Sequence, residues 1–599
     1  MRSRSWWLVV PVLWLVAAFL LVDGWLLQMH PDEELSYRST DGDLAYTLDY
    51  QMSMKDNQAP LWFVTFWAWR QAVGDAEYTS RVLGVLTILP ALALAYRLGR
   101  RWFRSEWVGL LAPLLLIGNG LFFSYALDIR PYPMVMLSAA LSMWAYTLWL
   151  DRRTARRAVL FGVTIALMLY IHYLLIFLVL AQAIYFVLSE RLRWRDIGQG
   201  ALAGAVGVGL FLPWLPTFVN QVVGLRNIEL ESGTGRGIAG IGVSTQATTL
   251  PTIQTLLNVA TNNLVWLYGG VLIVGAILLW RSRRYWLALA WAVGTPALYL
   301  LANLVAAVYA PRFVSHLLIG LALALSAALV RLPRVLRLVG AAVLIGANLL
   351  TLPDAIPVRV PYRDVYRQVS VGGRAGDAVL NTPASQYDGF VQQQQSHYLA
   401  PALPSGITTD LAQAQTARRI WFMTGDWFKP AVQDQFHALE PTHPVQQVIG
   451  QCPERGWCYL AQLMEAPPLA RPQRFGADMD FWGADVDEVT SAEISTRLWW
   501  RVETAPPLDY SISLRLVDEM GGIIAQSDGP INHYGAEIFQ TSQLQPGKIY
   551  IDWRTLELPA KLPEAAYSLQ LVVYQSWDGA RLLLPDGADS LNLETFTIS

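Results

Sequence analysis

Long apolar runs, not a period of 2 or 3.6, dominate residues 1–353. A helix needs roughly 17–25 such residues to cross a bilayer core of about 30 Å. About eleven candidates appear, near 6–27, 78–98, 106–126, 132–150, 157–171, 173–189, 197–216, 255–280, 285–308, 313–330 and 335–353, the fifth and sixth being short. The polar residues between them alternate in kind. Arg97/Arg100/Arg101/Arg104, Arg152/Arg153/Arg156/Arg157, Arg191/Arg193/Arg195, Arg281/Arg283/Arg284 and Arg331/Arg334/Arg337 fall at every second boundary. The others carry "HPDEELSYRST", "LDIRPYP", "YIHY", "LPWLP" and "YAPRF". By the positive-inside rule the arginine ends are cytoplasmic, so those five segments share the outer face. An odd number of spans then puts the N-terminus in the cytoplasm and the C-terminal half outside the cell membrane.

The run Trp6–Leu27 is too long for a secretory signal and is followed by no small-residue cleavage site, so it reads as a first membrane helix. Residues 28–77 form the first outer loop, where Trp62, Phe63, Phe66, Trp67 and Trp69 suit a helix lying in the headgroup zone. A second outer loop, about 217–254, holds the glycine-rich "ESGTGRGIAGIG". It reads equally well as a substrate-ordered flap or as plain disorder.

The pattern changes after Pro353. Residues 354–466 mix short apolar runs with helical stretches, as a small α/β domain does; 467–599 alternate in runs such as "AEISTRLWWRVE" and "YSLQLVVYQSW" between turn residues, as in a β-sandwich. The expected fold is thus a polytopic α-helical membrane domain (1–353) followed by soluble extracytoplasmic α/β and β-sandwich domains. Cys452 and Cys458, the two cysteines, fall in the exported part, where a disulfide persists. Closing so short a loop is worth roughly 2 kcal/mol.

Composition agrees, with 54% hydrophobic residues and a mean hydropathy of +0.33. The net charge of −2 conceals two unlike halves: residues 1–353 hold 27 Lys/Arg against 17 Asp/Glu, and the remainder 17 against 29. The basic residues are topological clusters, so nucleic acid is not an expected partner.

Ionisable groups at membrane depth cost about 2.5–3.5 kcal/mol at a helix centre, so those at the outer boundary carry the information. They are Asp32/Glu33/Glu34, Arg81, Asp128 with Arg130, His172 and Arg312. Each has a bland reading: a solvated loop for the acids, an interfacial ion pair for Asp128 and Arg130, a core histidine, a helix anchor for Arg81, a snorkelling Arg312. Together, with both signs on one face, they could hold a lipid phosphate on arginine and activate a hydroxyl with a carboxylate.

Six motifs occur in a telling order: "PDEELSYR" (Asp32, Glu33, Tyr37), "APLW" (Pro60, Leu61), "GDAEYTSR" (Gly74, Glu77, Arg81), "LDIRPY" (Asp128, Arg130, Pro131, Tyr132), "HY" (His172, Tyr173) and "PRF" (Arg312). In that order they resemble the GT-C membrane glycosyltransferases, most of all the protein O-mannosyltransferase and aminoarabinose-transferase group, glycosyltransferase family 39. The resemblance covers about residues 6–353. It implies a hexosyl or pentosyl transferase that takes a sugar, mannose-like or other, from a polyprenyl monophosphate carrier, with inversion if one displacement occurs. The acceptor is a protein, lipid or glycan outside the cytoplasm. It also implies Asp32, with Glu33 beside it, as catalytic base, Asp128 as second acid, and Arg312 at the departing phosphate. Arg130, Tyr132 and His172 would bind donor or substrate. Family members commonly have Lys or His directly before Pro-Pro-Leu, whereas this chain reads Gln58-Ala59-Pro60-Leu61, which leaves Lys55 or Arg130 to supply the cation. The class includes metal-dependent and metal-independent members, so a divalent cation on Asp32 and Asp128 stays open. Two other readings stand beside the enzyme: a lipid-sugar flippase or transporter, and an inactive membrane anchor for a glycan-binding sandwich.

Overall fold

In a computed structural model of the chain, the residues described are all except 1–4, 30, 54–57, 190–192, 233–247, 305–309, 357–361, 383–398, 400–406, 426, 453–458, 561 and 599. The glycine-rich stretch of the second long loop, Lys55 and Cys458 lie outside them. The chain divides into two units, Met1–Arg359 and Val360–Ser599.

Among the described residues, the first unit contains helices and no strand. Six helices among the described residues are long and apolar enough to cross a membrane: α1 (Val9–Leu26), α5 (Glu77–Phe103), α8 (Tyr132–Asp151), α18 (Arg334–Ala355), and the runs Trp194–Val223 and Arg283–Ala302. Two bent pairs raise the number to eight: α6 (Glu106–Ile117) with α7 (Gly120–Ala126), and α13 (Leu250–Ala260) with α14 (Val265–Leu278). The expected count of about eleven is corrected accordingly. The three remaining apolar segments form shorter helices, α9 (Ala155–Ile171, 17 residues), α10 (Ile176–Ser189, 14 residues) and α17 (Leu317–Val330, 14 residues). At 1.5 Å per residue, α17 reaches only about 21 Å. It is buried on every face and lies within the core rather than against lipid. With six to eight spans by length, an odd count no longer places the second unit.

Helix order explains why the polar segments gather. Helices α5 and α8 both begin beside the acid-bearing loops and end at arginines, where Arg101 and Arg284 both pair with Asp151. Arg153 meets Asp196 at 2.5 Å at the same kind of end. Each bent pair breaks where the other needs a partner. The first turns by 77° at Gly118–Asn119, the second by 80° around Asn262 and Asn263, both at positive φ. Asn262 donates to Gly118 O at 2.7 Å and accepts from Gly120 N at 2.8 Å, while Asn119 donates to Ala260 O at 2.9 Å. The opened peptide groups are thus satisfied without water.

The first long loop is folded too. It forms α2 (Pro31–Arg38), α3 (Leu44–Met52) and α4 (Leu61–Val73). Of the five aromatic residues that suit a headgroup helix, Trp67 and Trp69 stay partly exposed and three turn inward. Trp62, Phe63 and Phe66 are fully buried against Met29, Tyr37, Leu83 and Ile129.

In the second unit, five strands give a mixed sheet in the order β2-β1-β3-β5-β4: β1 (Ala378–Asn381), β2 (Ile407–Thr408), β3 (Arg419–Thr424), β4 (Val445–Gln451) and β5 (Tyr459–Glu465). Successive side chains alternate across it. Trp421 and Met423 face α19 (Tyr362–Gly372), while Ile420 and Phe422 face the helix Pro430–Leu439. Ten further strands form a four-stranded and a six-stranded sheet around one core, which includes Leu498, Trp500, Leu514 and Leu571. Arg497 joins the sheets' neighbour to the sandwich, donating to Glu465 at 2.8 Å and Asp487 at 2.7 Å. Cys452 is disulfide-bonded.

Replacing Asn262 by Gly keeps the backbone conformation and deletes the bridge, leaving Gly118 O and Gly120 N buried without it. The expected loss is at least about 2 kcal/mol, read as a lower melting temperature in detergent. Asn263→Gly, at an exposed neighbour of similar φ, should leave the melting temperature unchanged.

Candidate active site

Three adjacent acids lie in the first turn of α2, after Pro31, where a helix N-terminus favours negative charge. Consecutive side chains on a helix point about 100° apart, given 3.6 residues per turn, so they serve three different partners. Asp32 stays partly exposed and pairs with Arg312 at 2.9 Å. Glu33 turns into the protein and is fully buried. Glu34 turns back along its own helix to Arg38 at 3.2 Å.

Glu33 is a scaffold centre. Its Oε1 and Oε2 accept from Arg81 at 2.6 and 3.0 Å, and Oε1 also accepts from Ile129 N at 3.0 Å. Arg81, on the first turns of α5, donates to Glu77 at 3.0 Å and to the carbonyls of Leu127 and Gln28 at 2.9 and 3.1 Å. Ser36 donates to Ile129 O at 2.7 Å. Through Glu33, Arg81 and Ser36 the end of α1, helix α2, the start of α5 and the turn 127–131 are held as one piece. That turn carries Asp128 and Arg130 on either side of Ile129.

Around Asp32 and Arg312 the expected residues converge. Tyr132, Asp32, Tyr125 and Asp128 all lie close enough to act electrostatically on Arg312. Arg130 is buried, its guanidinium 5.9 Å from the Phe63 ring. Tyr132 is buried with its ring 4.9 Å from Tyr125 and 6.5 Å from Phe313. His172 caps the turn between α9 and α10 and lies 5.0 Å from Phe313. Burial, with Arg130 and Arg312 nearby, pushes its pKa down to about 4. It is therefore neutral near pH 7, and since Nδ1 accepts from Leu174 N, the ring proton is assigned to Nε2.

Gln58 joins the site through its backbone, its carbonyl accepting from the Tyr173 hydroxyl at 3.3 Å. Tyr173 in turn donates to Gln221 at 2.8 Å and accepts from Trp214 at 2.8 Å. All five segments of the arginine-poor face therefore meet. Tyr125, Phe313 and His316 belong to the same cluster and escaped the sequence reading. His316 lies one turn beyond Arg312 in "PRFVSH", accepts from Trp291 Nε1 at 3.0 Å and acts electrostatically with His172. Its spacing from Arg312 was the available signal. Among the described residues, no three His, Cys, Asp or Glu side chains converge as a metal-binding group. Both acids named for a cation, Asp32 and Asp128, act instead on Arg312.

Arg81→Met strands the buried Glu33 charge and should cost about 3–5 kcal/mol, seen as a fall in melting temperature. Adding Glu33→Leu should recover part of that loss rather than add to it. Glu34 supplies a pH signature: burial pushes its carboxyl up to about 8 against the opposing pull of Arg38. The folded state thus holds this proton more tightly than the unfolded chain, near 4.5. The resulting stability is complete below pH 4.5 and lost as pH rises through 8. Glu34→Gln should flatten that slope in melting curves recorded across the range.

No curated protein sequence matches the chain. Among solved structures, ArnT from Cupriavidus metallidurans is similar in two states: bound to undecaprenyl phosphate (12% identity, TM-score 0.47) and apo (12% identity, TM-score 0.49). Each alignment covers 77% of this chain and 98% of that one. The arabinosyltransferase EmbB from Mycobacterium smegmatis aligns at 12% identity and TM-score 0.29, over 90% of this chain and 60% of that one. None reaches a TM-score of 0.5, so the chemistry below rests on this chain's own residues. Residues 57–216, which carry Arg81, Asp128, Arg130, Tyr132 and His172, match the family model described as dolichyl-phosphate-mannose-protein mannosyltransferase. That segment is similar to the family over 160 of the chain's 599 residues.

Proposed function

We propose that the protein is a membrane glycosyltransferase that moves a sugar from a polyprenyl monophosphate carrier to an acceptor hydroxyl, with Asp32 as general base and Arg312 at the carrier phosphate. The observation that carries this reading is the Asp32–Arg312 pair, partly open to solvent and ringed by Asp128, Tyr132 and His172. The similarity of residues 57–216 to a family described by a dolichyl-phosphate-mannose donor supports this donor class. The arginine clusters at the opposite helix ends support a site on the extracytoplasmic side.

The reaction balances on these groups. The acceptor oxygen attacks the anomeric carbon as its proton passes to Asp32, and the bond from that carbon to the phosphate oxygen breaks on the opposite face, inverting the centre. The donor is a phosphodiester with one negative charge and the departing carrier is a monoester with two. Arg312 and the buried Arg130 therefore interact more strongly with the product-like transition state than with the donor, the condition for an interaction to accelerate the step. Neutral His172 adds a hydrogen-bond donor without a competing charge. Asp128 keeps the arginines oriented. Glu33, committed to Arg81 and Ile129, has a positioning role and not a chemical one. Asp32 and the carrier phosphate compete for Arg312, so carrier binding to Arg312 releases the base.

A flippase would need charge near the helix midpoints and broken helices lining a path. The bent pairs here are braced by Asn119 and Asn262, and the charges named above sit at helix ends rather than midpoints. Asp32→Asn should lower sugar transfer in proteoliposomes by about 10²–10⁴-fold with the melting temperature and donor binding retained. An unchanged rate in that variant would sink the assignment.

A further inference from the structure

Within the second unit, the edge of the α/β sheet and a hairpin of the sandwich enclose a cavity of about 530 Å³. That is a size suited to a small ligand. Glu440, Pro441 and Pro444 line it from one side, and His533, Tyr534 and Lys548 from the other. Tyr534 sits in the tight hairpin between β11 (Ile531–His533) and β12 (Glu537–Phe539) at φ +52°. A bulky residue seldom occupies the left-handed region, and such strain persists where the surroundings enforce it. Two contacts enforce it here. The hydroxyl donates to Val445 O at 2.7 Å, and the ring lies 4.4 Å from that of His533. His533 is buried, and its Nδ1 accepts from Ile551 N at 3.1 Å, leaving Nε2–H as the ring's remaining donor. Lys548 stands 5.2 Å from the Tyr550 ring centre.

The lining combines flat ring faces, rigid proline walls, one ammonium and one carboxylate. A hydrocarbon ligand would leave the polar groups unpaired. An anion or a cation would find its own charge opposed by Glu440 or Lys548. A polyhydroxylated ring fits both halves of this chemistry, with its C–H face on the aromatic plane and its hydroxyls donating to the carboxylate and accepting from the ammonium and Nε2–H. We propose that this cavity is a saccharide-binding site, separate from the Asp32–Arg312 site and lined by Tyr534, His533, Lys548 and Glu440. It rests on the geometry of this unit alone and does not depend on the proposed transfer reaction.

The test is ligand-observed NMR on the full-length protein in nanodiscs, with methyl α-D-mannopyranoside, mannotriose and chitotriose as probes. At least one probe should bind. Tyr534→Gly, which removes the ring and relaxes the backbone, and Lys548→Ala should each weaken that binding tenfold or more. Tyr534→Phe, which loses only the hydroxyl bond to Val445, should keep it, as should Trp577→Ala at an exposed aromatic outside the lining. The proposal is overturned if no probe binds, if Tyr534→Gly leaves binding intact, or if Tyr534→Phe or Trp577→Ala abolishes it as completely as Tyr534→Gly.

Discussion

The ion pair between Glu33 and Arg81 is the constraint on which the arrangement of the helical unit's polar end depends. Both groups are withdrawn from water, which costs several kcal/mol per ion unless geometry and further hydrogen bonds compensate. Here they do. Arg81 meets two carboxylates and two carbonyls, and Glu33 adds a backbone amide. Because those partners come from four chain segments, the pair converts a set of loop ends into a fixed surface. The rotation that buries Glu33 also fixes Asp32 toward Arg312.

Much of the site's composition was legible in the chain. Polar segments interrupting apolar runs on one face had to share an environment, and Asp32, Asp128, Arg130, Tyr132, His172 and Arg312 do lie together. The separate fates of the three acids were not legible, because a linear run does not say where its helix begins or which turn faces the core. Helix α4 shows a similar limit. A stripe of tryptophan and phenylalanine suits a lipid interface and a protein core equally, and only the partners Met29, Tyr37, Leu83 and Ile129 decide for the core.

The helix count went wrong for a specific reason. Hydropathy sums residues without regard to direction, so the bends of more than 70° in "LLLIGNGLFF" and around "ATNNLVW" were invisible, though each pair still counts as one span; the three short helices make the difference between eleven and eight. Length failed differently at α17, whose apolar character reflects burial among other helices. In the second unit the patterns were easier, because alternation in a strand reports directly on which face is covered.

The asparagine braces also bear on how the chain assembles. Each break opens peptide groups that lipid cannot satisfy, and their partners lie more than 140 positions away: Asn119 with Ala260, Gly120 with Asn262. The first bent pair, made early, therefore has no complete set of partners until the second has been synthesised and has entered the bilayer. Vectorial insertion alone does not finish this unit. The hydrogen bonds that close its interior join two bent pairs far apart in sequence, so the polar groups that make the bends possible also tie the completion of one to the presence of the other.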